Sequence, residues 1–136
     1  MKYNGIIQKK VAFIIDYRKK LENELNGVEF SEFQRNWAMQ RMTERTLQVM
    51  VEVVIDISER IIAMENAGPI ETASQAINKL VELRVISKST PYVDMVRFRN
   101  LIVHRYEVIE PELLYSIAKN KLTDFNKFVE ELDASE

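Results

Sequence analysis

Apolar residues recur every three or four positions along almost the whole chain, which is the period of an amphipathic helix. Three glycines and three prolines leave few places for turns, and no stretch alternates with the period of a strand. The pattern predicts five helical segments: 2–26, 31–67, 72–84, 91–106 and 111–132. A chain of 136 residues is long enough for one core but not for two. We therefore expect an all-α fold, an up-and-down bundle of four to five helices in a single domain spanning residues 1–136.

Capping residues mark several ends of these segments. Gly27 is placed to end the first helix as a C-terminal cap. Ser31 with Gln34, and Thr72 with Gln75, have the spacing of a capping box, in which two side chains satisfy free amides of the first helical turn. We expect the second and third helices to begin at these two motifs.

The second segment is long and carries two apolar stripes. One stripe comprises Phe33, Trp37, Leu47, Val51, Val54 and Ile61. The other comprises Met39, Met42, Val49, Val53 and Ile57. A helix with two apolar faces is buried on two sides. Two interpretations follow: the segment is the central post of the bundle, or one of its faces is an interface between two copies of the chain.

A polar stripe remains on the same segment, again with a spacing of three or four residues. It comprises Arg41, Arg45, Gln48, Glu52, Asp56 and Glu59. In one interpretation it is a solvated face whose internal ion pairs contribute about 0.2–0.5 kcal/mol each. In the other, Glu52 or Asp56 faces the candidate site described below and orients its side chains. The sequence leaves both interpretations open.

The composition excludes several classes of protein and site. Without cysteine the chain forms neither disulfides nor thiolate metal sites, and one histidine does not supply the usual ligands of zinc. We therefore expect no metal site and no cofactor. The N-terminal residues lack the pattern of a signal peptide, and no run of about 18 apolar residues is present to span a membrane. We expect a cytoplasmic protein without a membrane partner.

Charge is unevenly distributed along a chain whose formal net charge is −2. Residues 84–105 contain five basic residues against Asp94 alone, a balance of +4. Residues 107–136 contain eight acidic residues against three lysines, a balance of −5. A locally basic site on an acidic protein can bind phosphate without binding RNA over its whole surface. The alternative is that the basic residues are scattered over solvated faces.

The stretch 99–106 contains the only histidine in the chain, His104, and is the candidate site. If the helix persists to about residue 106, Asn100 and His104 share one face, and Arg99 and Tyr106 share a second face about 100° away. Arg99 and His104 are five residues apart, so they converge only if their side chains reach toward each other or the helix loosens at its end. An imidazole titrates near neutral pH and can transfer protons, and a guanidinium can stabilise charge on a phosphate.

His104 and Tyr106 each also have a purely structural interpretation, whereas both interpretations of Asn100 are functional. A lone histidine near a helix C-terminus often caps the helix and interacts with its dipole, and His104 fits that role. Tyr106 can be a half-buried aromatic whose hydroxyl reaches the surface. Asn100 can fix the imidazole or bind phosphate itself.

The string RFRNLIVHRYEVI at residues 97–109 resembles the RX4HXY signature of the HEPN superfamily (higher eukaryotes and prokaryotes nucleotide-binding). Arg99, His104 and Tyr106 are the three residues that match. The upstream helix TERTLQVMVEVVIDISERII, at residues 43–62, is similar to the HepT-like branch of that superfamily. The resemblance covers nearly the whole chain.

This resemblance implies a HEPN-like helical dimer that acts as a metal-independent endoribonuclease, the toxin paired with a minimal nucleotidyltransferase antitoxin. RNA carries its own nucleophile, the 2′-hydroxyl, so His104 would act as acid or base and Arg99 would stabilise phosphate charge. The homodimer would bring two such motifs together on a cellular RNA, either tRNA or mRNA. The antitoxin would attach adenylate to Tyr106 and block RNA by its bulk and like charge.

Two other hypotheses remain at this point. In the first, the chain is a non-catalytic helical module in which the same motif binds a nucleotide or a partner protein. In the second, it is a purely structural helical dimer and its histidine is a cap. Cleavage of RNA that depends on His104 would separate the nuclease from both.

Overall fold

The computed structural model describes residue 3, residues 5–104 and residues 109–135. These residues contain seven helices and no strand, which confirms the predicted all-α fold. The helices are α1 (Gly5–Leu25), α2 (Phe30–Gln34), α3 (Trp37–Met64), α4 (Ala73–Glu82), α5 (Tyr92–His104), α6 (Pro111–Asn120) and α7 (Thr123–Ala134).

Helix α3 is the centre of the bundle and packs against α1, α2, α4, α5 and α6. Its buried residues are Gln40, Thr43, Leu47, Met50, Val51, Val54, Ile55, Ile57, Ser58, Ile61 and Ile62. The second apolar stripe is covered within the same chain, because Ile57 is buried and Met39, Met42 and Val53 are partly buried against the core. The central-post interpretation therefore accounts for most of both stripes, with Trp37 as an exception.

The segment expected as one helix over residues 31–67 is two helices, separated at Arg35 and Asn36. Asn36 adopts an extended conformation, and its side-chain Oδ1 accepts a hydrogen bond from the amide of Met39 at 2.9 Å. Gln40, buried one turn later, donates through Nε2 to the carbonyls of Phe33 at 2.9 Å and Gln34 at 3.0 Å. These bonds satisfy backbone groups that the break leaves free, and so they stabilise the break itself.

The capping box expected at Ser31 is wrong. Ser31 lies inside α2, which follows Glu29, and no side-chain hydrogen bond caps that helix. The break also places Trp37 differently from the prediction. Phe33 is fully buried, but Trp37, expected on the same apolar stripe, is 70% exposed. The extended conformation of Asn36 changes the phase between α2 and α3, so residues four apart no longer share a face.

The other predicted helix ends are mostly confirmed. Thr72 and Gln75 form the expected capping box, with both side chains bonded to backbone amides. Gly27 adopts φ +76° just beyond α1, as a C-terminal cap requires. The segment expected as one helix over residues 111–132 is instead divided into α6 and α7 at Lys121 and Leu122, and no glycine or proline marks that division in the sequence.

The start of α5 is tied to α7 by a network centred on Glu131. Ser87, in the connector before α5, donates to Glu131 Oε1 from its amide at 3.1 Å and its hydroxyl at 2.8 Å. The hydroxyl of Tyr92, the first residue of α5, donates to Glu131 Oε2. The Tyr92 ring also meets Phe128 edge-on, with the ring centroids 5.3 Å apart. One carboxylate therefore fixes where α5 begins.

From that point α5 runs toward the end of the bundle that contains α2. Tyr92 contacts the C-terminal half of α7, whereas Phe98 lines a cavity with Phe125, near the start of α7. Helix α6, which precedes α7, is bonded to the loop after α1, since the Tyr115 hydroxyl donates to the Val28 carbonyl at 2.7 Å. The last turn of α5 therefore lies at the same end of the bundle as α2 and the first turns of α3.

Replacing the cap of α3 will test the origin of the break. We expect Asn36→Ala to lower the free energy of unfolding by about 1 kcal/mol, because the amide of Met39 loses its acceptor. Ser31→Ala is the control and should change it by less than about 0.5 kcal/mol, since Ser31 caps nothing. Urea unfolding followed by circular dichroism measures both. Equal losses in the two variants would contradict the assignment of the cap to Asn36.

The Glu131 network predicts a pH-dependent contribution to stability. Partial burial acts to raise the pKa of Glu131, but the hydrogen bonds from Tyr92 and Ser87 outweigh it and lower the pKa below its ordinary value. Such a carboxylate stabilises the fold above its unfolded pKa, about 4.3, and this contribution is lost as the pH falls through the folded pKa. Glu131→Gln should therefore cost about 1–2 kcal/mol at pH 7.

The cost of Glu131→Gln should shrink toward zero as the pH is lowered below about 4. Unfolding titrations of the wild type and the variant at a series of pH values will measure this difference in the free energy of unfolding. Glu130→Gln is the matched control, because the neighbouring Glu130 is exposed and should show a small and constant effect. A difference for Glu131→Gln that persists unchanged in acid would exclude the carboxylate as its cause.

Candidate functional site

Asn100 and His104 line one open pocket at the end of α5, together with Arg97 and Leu101. His104 is exposed and is the last residue of the helix, and Asn100, one turn earlier, is half-buried. The sequence placed Asn100 and His104 on one face, and the structure has them there. An imidazole and a carboxamide are thus presented side by side to solvent.

Arg99 lies on a different side of α5. Five residues at 100° each separate it from His104 by about 140° around the helix axis. Its side chain is only partly exposed, and its Nε is shielded from solvent without a hydrogen-bond partner in the part of the chain that the structure describes. Within one chain, Arg99 and His104 do not line the same pocket. Arg18 and Arg41 also have shielded guanidinium nitrogens without a partner among the described residues, so this state is not particular to Arg99.

Arg97 was counted in the basic stretch of the sequence but was not expected in the site. It lies three residues before Asn100 and seven before His104, a spacing that places all three on one face. Its Nη1 is 3.2 Å from Asp94, and both side chains are mostly exposed, so this pair is weak and Arg97 can turn toward a phosphate. Its spacing from His104 was the signal that could have identified it.

Tyr106 and Arg105 lie outside the described residues. The expectation that Tyr106 shares a face with Arg99 therefore stays a prediction. The described helix ends at His104, two residues short of Tyr106.

Glu52 and Asp56, the two acidic residues considered as supports of the site, have partners elsewhere. Asp56 lies 2.5 Å from Lys10 of α1 and 3.2 Å from Arg60. Partial burial acts to raise the pKa of Asp56, but these two cations outweigh it and hold the pKa below its ordinary value. Glu52 accepts a hydrogen bond from Gln48 at 3.0 Å. Asp56 thus belongs to a solvated, ion-paired face, as the first interpretation of the polar stripe proposed. Among the described residues, neither Glu52 nor Asp56 has a recorded contact with the candidate site.

A better enclosed cavity lies on the opposite side of α5 from His104. It has a volume of about 140 Å³ and is mostly apolar, lined by Leu47, Val51, Pro91, Met95, Phe98, Ile117 and Phe125. Asp94, Lys121 and Asp124 also line it. It contains none of the predicted site residues, so it is not part of the candidate site.

The described residues offer neither a metal site nor a membrane-spanning helix. They contain no group of three or more histidine, cysteine, aspartate or glutamate side chains arranged to hold a metal ion. None of the helices in the described ranges has the length and apolar character needed to cross a membrane.

Comparison with known proteins shows relatives over nearly the full length of the chain. The chain is 23% identical over 134 residues to a tRNA nuclease HepT of Aphanizomenon flos-aquae, an alignment that covers 95% of this chain and 88% of the relative. It is 26% identical over 133 residues to an mRNA nuclease HepT of Shewanella oneidensis, covering 96% and 98% of the two chains.

Solved structures share the fold. One is the tri-AMPylated HEPN toxin of Shewanella oneidensis in complex with an MNT antitoxin, with a TM-score of 0.87 and 25% identity, covering 97% of this chain and 99% of that one. Another is a toxin–antitoxin crystal structure with AMP-PNP, with a TM-score of 0.87 and 24% identity, covering 96% and 99%. The second shows likeness of fold alone.

The family assignment rests on a match that is longer than any single motif. The family model described as Ribonuclease HepT-like matches residues 14–132, from within α1 to near the end of α7. The matched region includes the open pocket, most of α1 and the other helices that pack on α3. The resemblance drawn from the RX4HXY string is thereby confirmed, and with it the expectation of a ribonuclease of the HepT-like type. The chain belongs to the HepT-like ribonuclease family.

Proposed function

We propose that this chain is a metal-independent endoribonuclease and the toxin of a pair with a minimal nucleotidyltransferase antitoxin. The observation that carries the proposal is the open pocket in which His104, exposed on the last turn of α5, lies beside Asn100 and Arg97. Membership of the HepT-like ribonuclease family supports it. We propose further that residues 1–136 form one domain and that the reaction takes place in the cytoplasm, where cellular RNA is found.

The proposed reaction uses the 2′-hydroxyl of RNA as nucleophile. His104, as general base, takes the hydroxyl proton while the 2′-oxygen bonds to phosphorus and the bond from phosphorus to the 5′-oxygen breaks. The departing 5′-oxygen must receive a proton from an acid. The products are a 2′,3′-cyclic phosphate and a 5′-hydroxyl. The proposed reaction requires neither a cofactor nor a metal.

Cations near the pocket would stabilise the charge that develops on phosphorus. Arg99 has the free guanidinium nitrogen described above, and Arg97 lines the pocket beside His104. A guanidinium offers planar, paired donors that match phosphate oxygens. We assign this role to Arg99, as the family motif implies, with Arg97 as a second phosphate contact and Asn100 as the group that orients the imidazole.

A homodimer would complete the site. One histidine cannot act as base and acid at once in the scheme above, and Arg99 is turned about 140° away from His104 within one chain. Val103, next to His104, is 47% exposed although it is aliphatic. A second copy placed against this end of α5 would cover Val103 and bring a second histidine and a second Arg99 to the RNA.

The substrate class is RNA, and the relatives support either of two kinds. One of them is a tRNA nuclease and the other an mRNA nuclease. Cleavage of purified tRNA and of mRNA, compared side by side, will distinguish the two.

Regulation is proposed to act on Tyr106. The Shewanella oneidensis toxin was solved in a tri-AMPylated form with its MNT antitoxin. In this chain the phenol oxygen of Tyr106 would attack the α-phosphorus of ATP, and pyrophosphate would leave. The adenylate adds bulk and negative charge two residues from His104, so it would compete with the RNA phosphate for the same cations.

Cleavage of RNA in EDTA by the purified protein will test the nuclease. We expect the wild type to cut total RNA and His104→Ala to be slower by about 100-fold or more, since general acid–base catalysis contributes about 10²–10⁴. Lys88→Ala is the control, because Lys88 is an exposed cation of the same basic stretch. Thermal unfolding and sedimentation of all three proteins establish that fold and assembly are unchanged. If neither wild type nor variant cuts while both fold and assemble alike, the non-catalytic binding module replaces the nuclease.

Mass spectrometry will test the modification site. After incubation with a cognate nucleotidyltransferase and ATP, the peptide containing Tyr106 should gain one or more adenylate groups, and RNA cleavage should fall in proportion. Tyr106→Phe should gain none. Tyr17→Phe, which alters a partly exposed tyrosine of α1, should be modified like the wild type. Adenylate found on the Tyr106→Phe protein would place the modification elsewhere.

A further inference from the structure

Trp37 is the most exposed large apolar side chain in the part of the chain that the structure describes. It is 70% exposed, whereas Ile6, Met64, Val103 and Leu113 are between 41% and 51% exposed. Tryptophan is usually well buried, and an indole left in water marks a surface that another molecule covers.

The exposure of Trp37 is built into the fold. The indole begins α3 immediately after the break, and the break is held by the Asn36 cap and by the two bonds from Gln40. Had α2 continued into α3, Trp37 would have followed Phe33 into the core. Three hydrogen bonds thus stabilise a corner that presents one aromatic ring to solvent.

The surface around Trp37 is basic. Trp37, Arg41 and Arg45 follow one another at intervals of four residues, so they lie along one side of α3. Arg35 is exposed just before the helix. The one acidic residue between positions 34 and 45 is Glu44, and it pairs with Arg41 at 2.9 Å. Neither Arg35 nor Arg45 has a recorded ion pair among the described residues, so this surface carries uncompensated positive charge.

This surface lies at the same end of the bundle as the open pocket. Phe98 of α5 and Leu47 of α3 line one cavity, and each is the lining residue of its helix that lies nearest to that end of the bundle. From there, six residues of α5 to His104 and six residues of α3 to Arg41 each rise about 9 Å toward that end. Trp37 is about 6 Å further along α3. Trp37 and His104 therefore lie at the same end of the bundle, where one strand of RNA could contact both.

We propose that Trp37 is a stacking platform for a base of single-stranded RNA, and that Arg45 and Arg35 bind the adjoining phosphates. An indole stacks on any base, and exposed arginines next to it neutralise the backbone, a combination typical of surfaces that bind single strands. The inference rests on the proposed function in taking RNA as the ligand. Trp37 is a binding residue and takes no part in the chemistry at His104.

The only tryptophan of the chain makes the platform directly observable. The probe is a single-stranded 2′-O-methyl oligoribonucleotide of mixed sequence, which lacks the 2′-hydroxyl and cannot be cut by the proposed reaction. We expect its binding to quench the indole emission to a plateau, with the same Kd as fluorescence anisotropy of a labelled copy. Trp37→Ala should weaken binding about tenfold. Trp37→Phe should recover part of that loss, since a phenyl ring also stacks.

Cleavable RNA gives a second readout. Trp37→Ala should raise KM about tenfold and leave kcat nearly unchanged, and Arg45→Gln should reduce the salt dependence of binding. Met64→Ala is the matched control, because Met64 is an exposed apolar residue at the other end of α3 and should behave like the wild type.

Two outcomes would overturn the platform. One is unchanged emission and unchanged Trp37→Ala affinity while anisotropy shows that RNA binds. The other is a blue-shifted emission that depends on protein concentration without RNA, which would show that a second copy covers Trp37. Because the probe cannot be cut, these results are independent of cleavage. If RNA binding quenches the indole emission of the wild type but the wild type does not cut RNA, the platform proposal stands and the nuclease proposal is rejected.

Discussion

Burial of α3 on most of its sides is the constraint on which the rest of the structure depends. Five other helices pack against it, and its eleven buried residues extend from Gln40 to Ile62. Each aliphatic side chain buried in this way contributes about 1.5–3 kcal/mol relative to exposure. A helix buried so completely leaves little of its own surface for chemistry. The residues of the candidate site therefore lie on α5, one of the helices packed around it.

Two hydrogen-bond networks determine which side chains are exposed at the ends of the bundle. The Asn36 cap and Gln40 fix the start of α3, and the Glu131 network fixes the start of α5. Both arrangements satisfy backbone groups that would otherwise be left free, so each defines one geometry instead of several. Helix α5 is thus held at its beginning and along its middle, and its last turn, with His104, projects from a rigid base.

The sequence predicted the helices well because their signal, a repeat of apolar positions, is carried by many residues at once. Both missed divisions of a helix lack glycine and proline, and each depends on local geometry that periodicity does not report. At Asn36 a signal was present, since asparagine is among the preferred capping residues, but Ser31 with Gln34 offered a competing motif. Thr72 with Gln75 was correctly identified because both partners of its motif were present and no rival lay nearby.

At the candidate site, the sequence predicted which stretch of the chain is involved but not how its side chains are arranged. The family motif identified His104 and Arg99 by their spacing, yet five residues on a helix place two side chains on different sides. Arg97, which shares the pocket of His104, is outside the motif and was overlooked for that reason. Spacing along one helix therefore located the stretch, while the arrangement of cations around a phosphate depends on how α5 packs. If a second copy completes the site, Arg97 and Arg99 hold complementary positions: one lies beside the histidine of its own chain, and the other is free to meet a phosphate held by its partner.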